Sequence, residues 1–216
     1  MRHMRYYLQY FGYKNNRKSQ YNNGQKIFGD KTMEYSFNLY NNMAQAGVLM
    51  ALNSFIGVQT APPVILCIGT DLAIGDSLGP VCGTMLESKS QTKNFFLYGT
   101  LKKPVTAKET KYLNEFLKET HPNSKIIAID AAVGTAGDIG LIKIHNKGLK
   151  PGLGVNKKLQ TVGDVSIMGI VAEKSVFNYS LLNATRLNLV YKMADIISDS
   201  VSTYVSSLST NQKSAV

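Results

Sequence analysis

The sequence predicts an α/β protein, a three-layer α/β/α sandwich around a mostly parallel central sheet, and three observations lead there. Short, continuously apolar runs recur as VILCIG at 64–69, FFLY at 95–98 and IIAI at 126–129; such runs suit strands buried on both faces of a parallel sheet. Stretches with helical spacing separate them, the alternation that places helices against both faces. The chain has 216 residues, 44% of them hydrophobic and 18% charged, which suffices for a sizeable core and excludes a disordered or fibrous protein.

Each element follows in order. From Met33 to about Ile56 the apolar residues Phe37, Tyr40, Ala44, Val48, Ala51 and Leu52 recur at helical spacing, so this stretch is predicted as one amphipathic helix. Ala61-Pro62-Pro63 ends it, because proline lacks the N–H a helix needs. The strand at 64–69 leads into a predicted helix over 77–88, and FFLY leads into another over 106–120 with Tyr112, Leu113, Phe116 and Leu117 as its stripe. IIAI, LIKI at 141–144 and SIMGIV at 166–171 supply further strands, and a last helix is predicted over 179–208 through Leu182, Leu189, Met193, Ile196 and Ile197. The expected organisation is a basic, tyrosine-rich, flexible extension over 1–32, one α/β domain over 33–208 and a frayed tail over 209–216.

Charge is unevenly distributed. Six of the ten net positive charges fall in residues 1–31, interleaved with Tyr6, Tyr7, Tyr10, Tyr13 and Tyr21. That pattern fits a solvated extension or a contact with an acidic partner such as nucleic acid, and only this segment offers one. Cys67 and Cys82 sit in apolar runs without metal-ligand spacing, as free thiols of a reducing compartment do. No run of about 18 apolar residues suggests a membrane span, and the first residues lack the apolar stretch of a signal peptide. A cytoplasmic protein is expected, with no cofactor and no resident metal.

In open α/β sheets the ligand site lies beyond the carboxyl ends of the strands. The first buried strand runs into Gly69-Thr70-Asp71-Leu72-Ala73-Ile74-Gly75-Asp76-Ser77-Leu78-Gly79-Pro80, and the third ends in Ile129-Asp130-Ala131. Both therefore deliver a carboxylate to one edge. Two carboxylates held close cannot both ionise cheaply, so one keeps a proton and the other a charge, which gives the acid and the base that amide hydrolysis requires. Asp76 and Asp130 are the expected catalytic pair. Gly69, Thr70, Asp71, Gly75, Ser77 and Gly79 are the expected substrate-binding loop, in which glycines admit close approach and helix-start N–H groups face an anion or carbonyl. The plainer reading is that Asp76 or Ser77 caps the next helix and Asp71 closes a turn. The glycine- and lysine-rich stretch 148–158 suits a flap over the cleft or a solvated loop; it lacks the order of a phosphate-binding P-loop.

The strings CIGTDLAIGDSLGP, YGTLKKPVTA, IIAIDAAVG, LKPGLGVNKKL, VGDVSIMGIV and ATRLNLVYKMADII, in this order over roughly residues 64–198, resemble the YyaC family of sporulation proteins. The resemblance implies a spore peptidase with a hydrogenase-maturation-protease-like fold. It is similar to the germination protease that degrades small acid-soluble spore proteins and, more remotely, to the hydrogenase-maturation endopeptidases. The germination protease has a comparable Asp-x-Leu-Gly-Pro loop and Ile-Asp-Ala strand end, and its catalytic aspartates fall on Asp76 and Asp130. Where the family typically reads Pro-Val-His-Ala, this chain has Pro104-Val105-Thr106-Ala107, so a histidine that would assist catalysis or bind metal is missing. His145, after LIKI, is read either as approaching the site or as an ordinary surface histidine. Two functions remain open: a peptidase acting on a protein or peptide substrate during sporulation or germination, or an inactive protein of the same fold that holds a small anion or a spore partner.

Overall fold

The computed structural model describes residues 33–57, 59, 61–92, 94–151, 160–174 and 184–213, with the backbone pairs 13–14, 21–22 and 25–26. In chain order the strands are β1 Tyr13–Lys14, β2 Tyr21–Asn22, β3 Gln25–Lys26, β4 Glu34–Asn38, β5 Val64–Cys67, β6 Phe96–Tyr98, β7 Ile126–Gly134, β8 Leu141–His145 and β9 Val165–Glu173. The helices are α1 Ala44–Ile56, α2 Leu78–Lys89, α3 Thr110–Thr120 and α4 Leu187–Lys213. The main sheet has the order β1-β4-β8-β9-β7-β5-β6, with β2 and β3 paired separately.

The sheet is mixed. β6, β5, β7 and β9 run parallel, whereas β8 pairs antiparallel with β9 and with β4, and β1 continues antiparallel on β4. The parallel strands are those the apolar runs predicted. β5 is buried at every position, and β7 extends past Ile129 to Gly134. One face packs Ile65, Ile127, Ile129, Ile142, Ile144 and Ile167 against α1, α2 and α4. The other packs Val64, Leu66, Ile68 and Ala128 against Leu117 of α3 and against Leu149 and Val162.

The stretch 33–56 differs from its predicted single helix. Glu34–Asn38 is a strand in which Tyr35 and Phe37 are buried while Glu34 and Ser36 are half-buried. Alternation with period two therefore governs this end, and pairing with β8 supplies the hydrogen bonds a helix would have made internally. Asn38 and Asn41 stop the strand, their side-chain oxygens accepting from the N–H groups of Tyr40 and Met43. The helix begins only at Ala44, leaving Tyr40 exposed.

Two further boundaries move. α3 starts at Thr110 because Thr106 to Glu109 form a turn, and Tyr112 and Phe116 of the predicted apolar stripe are largely exposed. α4 runs past Leu208 to Lys213, and the predicted helical residues 179–183 lie outside the described residues, as do 152–159 of the predicted flap. Lys89 of α2 bridges Asp195 and Asp199 of α4, the latter at 2.8 Å. Among the described residues no helix is long and apolar enough to cross a membrane.

Candidate active site

The loop after β5 is built by backbone closure. Ile68 N–H donates to the Ile129 carbonyl at 2.7 Å, and Gly69 N–H to the Val105 carbonyl at 2.9 Å, so the end of β5 is held between β7 and the segment that precedes α3. Thr70 N–H then donates to the Asp76 carbonyl at 3.0 Å, folding the loop back on itself. Gly69 has φ +142, and a Cβ there would strike the Asp76 carbonyl oxygen, so the position requires glycine. Ile74–Asp76 forms one 3-10 turn, after which α2 begins.

The first turn of α2 lies directly on the sheet. A Cβ at Gly79 would run into the backbone of Ile68, and one at Gly169 of β9 into the Leu78 side chain. Pro80 fits the first turn because its missing N–H has no partner to lose there. Ser77 does not cap the helix: its hydroxyl donates to the Ile74 carbonyl at 2.7 Å, closing the preceding turn. The N–H groups of Leu78 and Gly79 therefore carry no side-chain cap.

Asp76 ends the 3-10 turn, half-buried, and burial pushes its carboxyl up to about 6, partly offset by the Thr70 backbone N–H. Asp130 lies on β7, buried, with one carboxylate oxygen accepting the Ala131 N–H at 2.8 Å. The turn bearing Asp76 packs against β7, and Asp130 stands on β7 one residue beyond Ile129, the partner of Cys67 at the end of β5, although β7 itself continues to Gly134. The rest of the predicted loop is occupied with its own structure. Thr70 accepts the Leu72 N–H, Asp71 is exposed, and Gly69, Gly75 and Gly79 are buried.

Beside this loop stands Thr106, where the resemblance led one to look for histidine. Val105 bridges to Ile68, and Thr106 donates from its N–H and hydroxyl to one Glu109 carboxylate oxygen at 2.7 and 3.0 Å. Glu109 is an acidic group that the reading of the sequence missed. The Thr-x-x-Glu spacing of a capping box was the signal that could have found it.

His145 is neither a surface residue nor in hydrogen-bond contact with Asp130. It is buried on β8 and its Nε2 lies 2.7 Å from Glu34 on β4. Burial holds its imidazole below the ordinary value, against the opposing pull of Glu34. His121 follows α3, stacked on Phe96 and 2.9 Å from the Tyr98 hydroxyl. Cys67 and Cys82 are free and buried, and burial pushes the Cys67 thiol up to about 12, which makes it a poor nucleophile. Among the described residues no three His, Cys, Asp or Glu converge as metal ligands do.

Residues 36–200 match the model of the family described as Protein of unknown function (DUF1256). An uncharacterized protein, YyaC of Bacillus subtilis (strain 168), is 43% identical over 141 residues, which is 65% of this chain and 68% of that protein. Among solved structures, the [NiFe] hydrogenase maturation protease HycI from Thermococcus kodakarensis KOD1 aligns with TM-score 0.39 and 18% identity, covering 68% of this chain and 97% of that one.

Proposed function

From the premise that this chain belongs to the family of proteins of unknown function DUF1256, whose description carries no activity, we propose from the site itself that it is a peptidase. Its substrate is a protein and its working groups are Asp76 and Asp130. The observation that carries this reading is the Asp76 carboxyl, pushed up to about 6 at the end of a turn packed on the strand of Asp130. A carboxyl poised near neutrality exchanges a proton readily, which an ordinary surface aspartate does not.

In the proposed reaction the Asp130 carboxylate takes a proton from water as the water oxygen bonds to the peptide carbonyl carbon. The uncapped N–H groups of Leu78 and Gly79 face the developing oxyanion. Asp76 then gives its proton to the amide nitrogen as the C–N bond breaks, leaving a carboxylic acid and an amine. On this reading the activity belongs to the cytoplasm of a spore-forming cell, which is where the resemblance of the sequence motifs points.

The test is hydrolysis of a spore-protein extract by the protein and its Asp76→Asn and Asp130→Asn variants, with folding checked by circular dichroism. Each variant loses about 10²–10⁴-fold in rate, and wild-type kcat/KM falls as pH rises above about 6, where Asp76 gives up its proton. Unchanged turnover in both variants would end the proposal.

One observation favours a second reading. Thr106 stands where the resemblance leads one to expect a histidine, and its hydroxyl is held by Glu109. An inactive peptidase fold would hold a small anion at the start of α2 or a spore partner. Thermal stabilisation by phosphate, with no hydrolysis of any spore protein, decides for it.

A further inference from the structure

The face of the sheet that carries Asp130 continues across β9, where Met168 packs on the cluster that contains Leu117 of α3, onto β8 and β4. Asp130 of β7 pairs with Met168 of β9, Met168 with Lys143 of β8, and Lys143 with Ser36 of β4. Their chain neighbours Ile129, Ile167, Ile142, Ile144, Tyr35 and Phe37 all enter the opposite core. By strand alternation the four therefore form one row on the α3 side.

Lys143 is the unusual member. Its side chain is only 20% exposed, yet among the described residues its ammonium makes a single long contact, 3.3 Å to one oxygen of Asp138. The other Asp138 oxygen is already taken by the N–H and hydroxyl of Thr135. An ammonium has three donors, and a mostly buried one is costly to leave underpaired. The neighbouring row of the same face carries the same deficit, since the buried Ser166 hydroxyl and His145 Nδ1 have no hydrogen-bond partner among the described residues.

The geometry points to a specificity subsite: Lys143, across Met168 from Asp130, takes a carboxylate side chain of a bound peptide. Adjacent strands lie about 4.8 Å apart, so Asp130 and Lys143 are separated by roughly 10 Å, while an extended peptide advances about 3.3 Å per residue. The recognised Asp or Glu therefore lies about three residues from the bond held at Asp130. The position of that bond rests on the peptidase reading; the carboxylate preference does not.

The test uses fluorescein-labelled ten-residue peptides of alanine and serine in which a single Glu is moved along the sequence, each matched by the same peptide with Gln. Binding is followed by anisotropy and cleavage of the same peptides by mass spectrometry. At one position Glu binds about tenfold tighter than Gln, and the difference disappears in Lys143→Met. It survives in Lys143→Arg and in Asp138→Asn, which keep the cation. If cleavage occurs, Lys143→Met raises KM for the Glu peptide and leaves kcat within about twofold, the mark of uniform binding. A Glu preference without cleavage upholds the subsite and removes the peptidase. Cleavage without a Glu preference does the reverse. Equal behaviour of Glu and Gln at every position, absence of binding included, or a preference that persists in Lys143→Met, overturns the inference.

Discussion

The parallel and antiparallel halves of the sheet use their second face differently. Around β5 and β7 that face is apolar and α3 closes it, with Leu117 on Val64, Leu66 and Ala128. Around β8 and β4 the same face bears Lys143, His145, Glu34 and Ser36, while Ile142, Ile144, Tyr35 and Phe37 still fill the opposite core. The parallel strands bury both sides because helices lie on both; the antiparallel pair β8 and β4 needs to bury only one. Asp130 stands one strand away from that boundary, with β9 between it and Lys143 of β8.

The comparison is tested most severely at adjacent residues of β8. Ile144→Ala, on the buried face, costs about 2–5 kcal/mol in denaturant unfolding. Lys143→Met, one position away and facing the other side, costs under about 1 kcal/mol, because an apolar group replaces an underpaired cation. Equal costs would break the distinction between the faces.

Glycines sharpen it next. Alanine in a helix ordinarily gains about 0.5–1 kcal/mol over glycine, but at Gly79 the new Cβ would meet the Ile68 backbone. Gly79→Ala therefore destabilises by about 1–3 kcal/mol and shifts the Asp76 turn. At Gly137, in the turn after β7 that positions Asp138, nothing lies within 4 Å of a Cβ. Gly137→Ala leaves the melting temperature unchanged or slightly raised.

The last effect depends on pH and comes from Asp76. Its carboxyl is raised from 3.8 to about 6 in the folded state, so folding is penalised when the group is ionised. The penalty is absent below pH 3.8, where folded and unfolded chains are both protonated, grows as pH rises, and is complete above about 6. Asp76→Asn removes it and stabilises by about 1 kcal/mol above that pH, after discounting for partial exposure, with no gain at low pH. Thermal melts of both proteins across this range check the sign.

The fold was legible where local signals and tertiary demands agree. Val64–Cys67 and Ile126–Ile129 read as buried strands because both their faces are apolar, and the glycines and Pro80 at the start of α2 announced a tight turn and a helix start. Asp130 was singled out as following a buried run, but the strand continues to Gly134 and Asp130 lies within it. β4 was not legible, since Glu34–Asn38 is too short for its alternation to outweigh the helical spacing that follows; only pairing with β8 makes it a strand. The same pairing buries His145 against Glu34, and the row from Asp130 to Lys143 exists only as a register of four strands. The sequence by itself determined which segments must be buried on both sides, because apolar pattern is local. The antiparallel half, its polar face and the surroundings of Asp76 and Asp130 were decided by the tertiary structure, because strand partnership joins residues whose separation along the chain leaves no local trace.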